Sequence, residues 1–413
     1  MNFRPDLRYL GFFLLFAIVG CRTDSETPEV TILQPADGAV LAGTTQVVVL
    51  VKDDQELAVA DITIDNEVVY VNDSLDTIMT FSWDTYQEIE GYHSVIGYGR
   101  DKFENEAADT ITVFCGKPPY PDSLILEIVL SGEPRVITAD ASYLYIATAD
   151  NIQILDLVTN EIVKTIDVRV IDLDITSTRE YLYAPNGSNY LYRIDLNSHD
   201  VVDSILISDP RQGCLHTLDT IYYQLTVDQL IDSNSLTFIN LNNDSVVYTI
   251  ADSFDLSYDI AFANRQVYIP VYSLSQIFAV TVDPPSSDIE VIDIDARPAS
   301  ILSANSQQQV FVATELDTPG IIIISTGNNS ITDTIQGPVV NDGHALDLTP
   351  DGNYLFAADE DNSMVWICQV DAGAVIDSIE LASPPNCLVI TEDAQTLYVT
   401  SRTSNRLYVF KKR

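Results

Sequence analysis

Residues 346–379 read LDLTPDGNYLFAADEDNSMVWICQVDAGAVIDSI. An apolar start runs into the turn string TPDG, then comes an aliphatic-aromatic pair in YLFAAD and a third apolar run in MVWICQV. A polar turn and a last run ending in Ile379 follow. Short β-forming runs separated by Pro, Asp, Gly and Asn turns are the mark of consecutive antiparallel strands. The same aliphatic-aromatic step recurs at Tyr145, Tyr183, Tyr222, Tyr268, Phe311, Phe356 and Tyr398, spaced about 42 residues apart, the length of one four-stranded propeller blade. A second string keeps the same phase: DLVTNEIVKTI, DLNSHDVVDSI, NLNNDSVVYTI, STGNNSITDTI and QVDAGAVIDSI end at Ile166, Ile205, Ile250, Ile335 and Ile379. In the fourth unit VDPPSSDIEVIDI replaces it. Seven units are predicted.

The seventh unit, TLYVTSRTSNRLYVFKKR, lacks a fourth strand after Phe410. LILEIVLSGEPRVITAD (124–140) matches VIDSIELASPPNCLVITED (375–393) in kind. Strand 124–130 is therefore expected beside 406–410, closing the ring from both ends and hiding its edges. The strings TPDGNYLF (349–356) and YVT (398–400) resemble the YVTN-type β-propeller repeat, strongly in the last two blades and by periodicity in the others. Residues 124–413 are assigned to a seven-bladed propeller.

Upstream, GKPPYPDS (116–123) is a stiff Pro-rich linker. Residues 28–115 alternate Val, Ile and Thr between turn strings such as PADG and DNE, which predicts a β-sandwich of about seven strands with Trp83 in its core. PEVTILQPADG, FSWDT and GYHSVIGYGRD resemble a bacterial immunoglobulin-like domain, departing at the bulky RDKFENEAAD loop. In such families the domain serves as a spacer or adhesion module. The expected fold is all-β: an immunoglobulin-like sandwich followed by the propeller. His93, at the head of one strand, reads as structural.

Arg4 and Arg8 precede YLGFFLLFAIVGC, an apolar run too short to span a bilayer comfortably. AIVGC resembles the lipobox of bacterial lipoproteins, which implies a signal peptide at 1–20, cleavage before Cys21, and lipidation of that cysteine. Residues 21–27 form an acidic tether, and Arg22 in place of Asp favours the outer membrane by the same analogy. The expected location is the bacterial cell envelope, with the lipid as the anchor.

Composition excludes other classes. Twenty Lys and Arg against 61 Asp and Glu leave a net charge of −41, which cannot neutralise a row of phosphates, so nucleic acid is excluded as a partner. Cys115, Cys214, Cys368 and Cys387 form no C-x-x-C and are scattered over distant repeats, so free thiols are expected. The four His form no close-spaced metal pair, and neither a nucleophile elbow nor a phosphate loop is present. YVTN repeats resemble the haem d1 propeller, but the attached cytochrome is missing; quinoprotein propellers carry a Trp in most blades, where this one has Trp366 alone.

Propellers commonly bind at the channel mouth, where loops lead into each inner strand. The candidates there are Arg135, Asp172, Tyr258, Arg297, His344 and Asn386. Two arginines and a histidine on one rim suit an anion. The expected function is a lipid-anchored binding or scaffold protein, its partner an envelope protein, polysaccharide or small anion, with no cofactor. The alternative is a lactonase-like propeller hydrolase using a divalent cation such as calcium, with Asp172, Asp259, Asp347 and Asp351 as oxygen ligands.

Overall fold

The computed structural model describes residues 26–54, 57–72, 78–216, 218–228, 233–251, 257, 259–283, 285–315, 320–338, 340 and 345–412. The lipobox with Cys21, and the rim candidates Tyr258 and His344, lie outside the described residues. The chain forms two compact units, dividing between Lys117 and Pro118.

The first unit is a two-sheet sandwich. Thr44–Lys52 pairs with Glu29–Gln34 on one side and Ile78–Asp84 on the other. The second sheet runs Val40–Leu41, Glu106–Cys115, Gly91–Asp101, Leu57–Ile64, Glu67–Val71. Eight strands replace the seven expected from sequence; the added one, Val40–Leu41, is two residues long and too short to show as an alternating run. Val47, Val49 and Val51 point inward at every second position, fully buried, against Ile62, Val95 and Val113. Trp83 is 4% exposed in the same core, and its indole N–H donates to Glu88 Oε1 at 3.0 Å. The sheets approach closely because Gly97 and Gly99 stand opposite these valines. A Cβ at either position would lie 2.6 Å from Val49 Cγ1 or 2.7 Å from Val51 Cγ1. The bulky 101–105 loop is held by Asp101, 1% exposed, which accepts the N–H groups of Phe103 at 2.7 Å and Asn105 at 2.9 Å.

The second unit is a ring of seven four-stranded antiparallel sheets. Their innermost strands are Pro134–Ala139, Asp174–Ile175, Pro210–Leu215, Ala261–Ala263, Arg297–Ala304, Leu346–Leu348 and Cys387–Ile390, blades 1 to 7 in that order. Each innermost strand touches the next, and the seventh touches the first. Blade 7 takes its outer strand from Ser123–Val129, which pairs antiparallel with Arg406–Lys411, Val129 opposite Arg406 and Ser123 opposite Lys411. Between that strand and Thr396–Ser401, the side chains of Leu407, Tyr408, Val409 and Phe410 are at most 2% exposed.

The seven repeated aromatics all lie on second strands and are at most 2% exposed. Burying a tyrosine requires a partner for its hydroxyl. Several hydroxyls find theirs in the adjoining blade: Tyr222 donates to Asp174 at 2.6 Å, Tyr268 to Asn329 at 2.7 Å, and Tyr398 to Asn160 at 3.3 Å. The aromatic period of the sequence is thus the period of blade-to-blade contact.

Candidate functional site

All innermost strands start at one end of the ring, where the loops between second and third strands also lie. Two of them start at a proline and a third has one at its second position, and proline has no N–H to lose from the ladder. Pro134, Pro210 and Pro298 stand opposite Thr148, Thr226 and Thr314 in blades 1, 3 and 5, and a β-bulge follows each. An arginine adjoins each proline: Arg135, Arg211 and Arg297. Arg135 and Arg211 lie within the bulges, which turn a side chain out of the regular ladder, whereas Arg297 precedes its bulge and pairs opposite Glu315; all three stand at the same end of the ring.

Each arginine is braced differently. The Arg135 carbonyl accepts from Cys387 Sγ at 2.8 Å, and the Pro134 carbonyl from Asn386 Nδ2 at 3.2 Å. Gln224 Nε2, fully buried, donates to the carbonyls of Arg211 at 2.7 Å and Gln212 at 2.9 Å, which holds the bulge open. The Arg211 guanidinium pairs with Asp209, Nη2 to Oδ1 at 3.3 Å. Arg297 lies over the Tyr272 ring, 5.4 Å from its centroid, and faces Glu315 across the ladder. Tyr272 donates its hydroxyl to Glu315, which raises the phenol pKa.

Asp172 and Asn386, both 1% exposed, are placed between blades. Asp172 accepts the N–H of Leu173 at 2.8 Å and that of Gly213 in blade 3 at 2.8 Å. Asp259 repeats this between blades 4 and 5, accepting from Ile260 N at 2.9 Å, Ser300 Oγ at 3.1 Å and Ile301 N at 3.1 Å. Asp347 does so between blades 6 and 7, from Leu348 N at 2.8 Å and Ile390 N at 2.7 Å. Buried N–H groups must find acceptors, and splayed innermost strands cannot supply each other with a ladder, so carboxylates bridge the gap. Burial pushes Asp347 up to about 6, against the lowering effect of its two N–H donors. Asn386 performs the last bridge, from blade 7 to blade 1, with its amide donors on carbonyls. Asp351 caps its own turn, accepting Thr349 Oγ1 at 2.6 Å and Asn353 N at 3.1 Å. Gly213 is required here, since a Cβ would lie 2.2 Å from Tyr222 Oη.

Of the six rim candidates, Arg135 and Arg297 stand at the starts of the innermost strands of blades 1 and 5, and Asp172 and Asn386 are built into the blade contacts. Arg211 belongs with the first two and was not among the candidates; the repeated Pro-Arg step at 134–135 and 210–211 is the signal that finds it. Cys115, Cys214, Cys368 and Cys387 are buried free thiols. No group of three or more His, Cys, Asp or Glu is arranged to hold a metal among the described residues.

His93 is structural. Its Nδ1 lies 2.5 Å from Asp65 Oδ2 and its Nε2 2.7 Å from the Ile89 carbonyl, so both ring nitrogens face acceptors, an arrangement that favours the doubly protonated ring. Burial opposes that charge, but the bonds to Ile89 and Asp65, with the charges of Asp65 and Glu88, outweigh it and raise the pKa. A raised histidine stabilises fully below its unfolded pKa of about 6.5 and loses the contribution as pH rises through the folded value. The sandwich transition is therefore expected to fall as pH rises above about 6.5. The loss is small, because Asp65 is half exposed and solvent screens the pair. Calorimetry of wild type and His93→Gln across that range checks it; the variant should show no such slope.

Residues 28–113 match the Bacterial Ig domain family. No curated protein matches the chain in sequence. Solved structures resemble the propeller in fold. A chain of Kuenenia stuttgartiensis hydrazine synthase aligns with TM-score 0.59 at 13% identity, over 72% of this chain and 97% of that one. The Cps50 (Swd1) β-propeller domain of Myceliophteria thermophila aligns with TM-score 0.60 at 12% identity, over 71% of this chain and 100% of that one. At such identities the likeness is one of fold. The chain is a bacterial immunoglobulin-like domain followed by a β-propeller.

Proposed function

We propose that this is a lipid-anchored envelope protein, held at Cys21 to the outer membrane, whose YVTN-type propeller binds an anionic partner or polysaccharide at the arginine-bearing mouth. The observation that carries the reading is the division of labour at that end of the ring. Asp172, Asp259 and Asp347, the carboxylates a hydrolase would use to hold a cation, are engaged by backbone N–H groups of the next blade. Arg135, Arg211 and Arg297 stand at the strand starts of alternate blades. Guanidinium groups recognise carboxylate and phosphate with directed N–H bonds. The sandwich then serves as a spacer between anchor and propeller.

Polygalacturonate is expected to bind the protein in spite of its net negative charge. The triple variant Arg135→Ala, Arg211→Ala, Arg297→Ala should bind at least about tenfold more weakly, a loss of about 1.4 kcal/mol spread over three charge contacts. Surface plasmon resonance at fixed ionic strength measures this; equal affinities would remove the rim from the proposal. Cys21→Ser should abolish incorporation of labelled palmitate and release the protein from membranes.

A further inference from the structure

The opposite end of the propeller holds a second feature, formed by turns that the rim does not involve. A cavity of about 390 Å³ is bounded by His216, Phe262, Asn264, Arg265, Asp283 and Gln308. A second, of about 470 Å³, abuts it across Asn264, Arg265, Asp283 and Thr326 and reaches Glu290 and Asn328. Together they form a trough over blades 3 to 5. Its origin is a shortened turn in blade 4. Two residues separate Ala263 from its ladder partner Gln266, whereas six separate Leu215 from Tyr222 in blade 3 and four separate Ala304 from Gln309 in blade 5. The short turn leaves room between the longer turns on either side.

The walls combine an apolar patch with directed polar groups. His216 packs on Phe262 with centroids 4.7 Å apart, Tyr223 stacks beneath Phe262 at 5.5 Å, and Leu218 stands exposed beside them. His216 Nδ1 accepts the Leu218 N–H at 3.1 Å, so the ring proton resides on Nε2 and makes that nitrogen a donor. Arg265 Nε and Asp283 Oδ2 form an ion pair at 3.4 Å, both side chains more than half exposed. Asn264 Nδ2 donates to the Thr326 carbonyl at 2.6 Å, which ties the blade 4 turn to blade 5. Thr326 is 2% exposed, and the described residues leave its Oγ1 without a hydrogen-bond partner.

The turn is also strained. Asn264 and Arg265 have φ of +46° and +69°, the two central positions of a turn whose second place favours glycine.

We infer that this trough is a binding site for a neutral carbohydrate, distinct from the rim. A sugar ring lays its C–H face on the His216 and Leu218 patch and offers neighbouring hydroxyls to the Arg265–Asp283 pair and the amides of Asn264, Gln308 and Asn328. An anion would meet Asp283 and Glu290. A cation would find Asp283 paired with Arg265, and Glu290 holding Asn329 Nδ2 at 2.7 Å.

The test is isothermal titration of the folded protein with maltotetraose, cellotetraose, xylotetraose and mannotetraose, with Arg265→Gly as the diagnostic variant. At least one tetrasaccharide is expected to bind below about 10 mM. Arg265→Gly should weaken it at least about tenfold while raising the propeller Tm by about 2 °C or more, because glycine relieves the strain. In the triple rim variant, the same sugar should bind as in wild type while tetragalacturonate binds at least about tenfold more weakly. Absence of any binding by the neutral tetrasaccharides, unchanged affinity in Arg265→Gly, a fall in its Tm, or loss of the same sugar in the rim variant would each overturn the assignment. The rim variant separates failure of this site from failure of the rim.

Discussion

Ending the chain at Ser404 is expected to unfold the propeller and leave the sandwich folded. The deletion removes Arg406–Lys411, which lies between Thr396–Ser401 and Ser123–Val129 and pairs with both. Leu407, Tyr408, Val409 and Phe410 are at most 2% exposed, and burying such side chains contributes about 1.5–3 kcal/mol each. The total, about 6–12 kcal/mol, rivals the whole stability of a typical domain, about 5–15 kcal/mol. The sandwich has its own core around Val47, Val49 and Trp83 and does not draw on these contacts. Calorimetry should show one transition lost and the other kept. A shortened chain with a native propeller transition would mean that the shared sheet is dispensable.

Asp259→Ala should be the most damaging single substitution at the blade contacts. It strips acceptors from Ile260 N, Ser300 Oγ and Ile301 N at once. Leaving a buried donor unsatisfied costs about 1–3 kcal/mol, and a loss of about 3–5 kcal/mol is expected after partial relaxation. Asp259→Asn keeps one acceptor oxygen and should fall between wild type and the alanine variant. Urea unfolding monitored by tyrosine fluorescence checks the order. If Asp259→Ala matched wild type within about 0.5 kcal/mol, the range of an ordinary surface change, the carboxylate would not be bridging the blades.

How far these features are legible in sequence follows from what each depends on. The seven-sheet ring shows through because an aromatic must recur wherever two sheets meet, and Tyr145 to Tyr398 keep that beat even where the turn strings decay. Val40–Leu41 escapes because two residues cannot display a period. Asp172 and Asp259 look like two more acids in a chain of 61 acidic residues. Their bridging role depends on how neighbouring innermost strands splay, which no local pattern encodes. Arg211 stays hidden until Pro134 and Pro210 are seen to occupy the same ladder position. The trough is less visible still. Asn264–Arg265 is legible as a tight turn, but the space it leaves exists only against the longer turns of blades 3 and 5.

The shared sheet also sets a clock on the making of the protein. Glu127, in the outer strand of blade 7, forms its ion pair with Arg406, 279 residues further along the chain. At about 5–20 residues per second, the interval between synthesis of the two is about 15–55 s. Throughout that time the strand Ser123–Val129, with Leu124, Ile125 and Leu126 along it, has no partner of its own. An unpaired apolar strand recruits other strands, so the nascent chain must be kept from pairing elsewhere until residues 406–411 emerge. Ring closure thus waits for residues 406–411, and chaperone demand should track residues 123–129 more than any later strand.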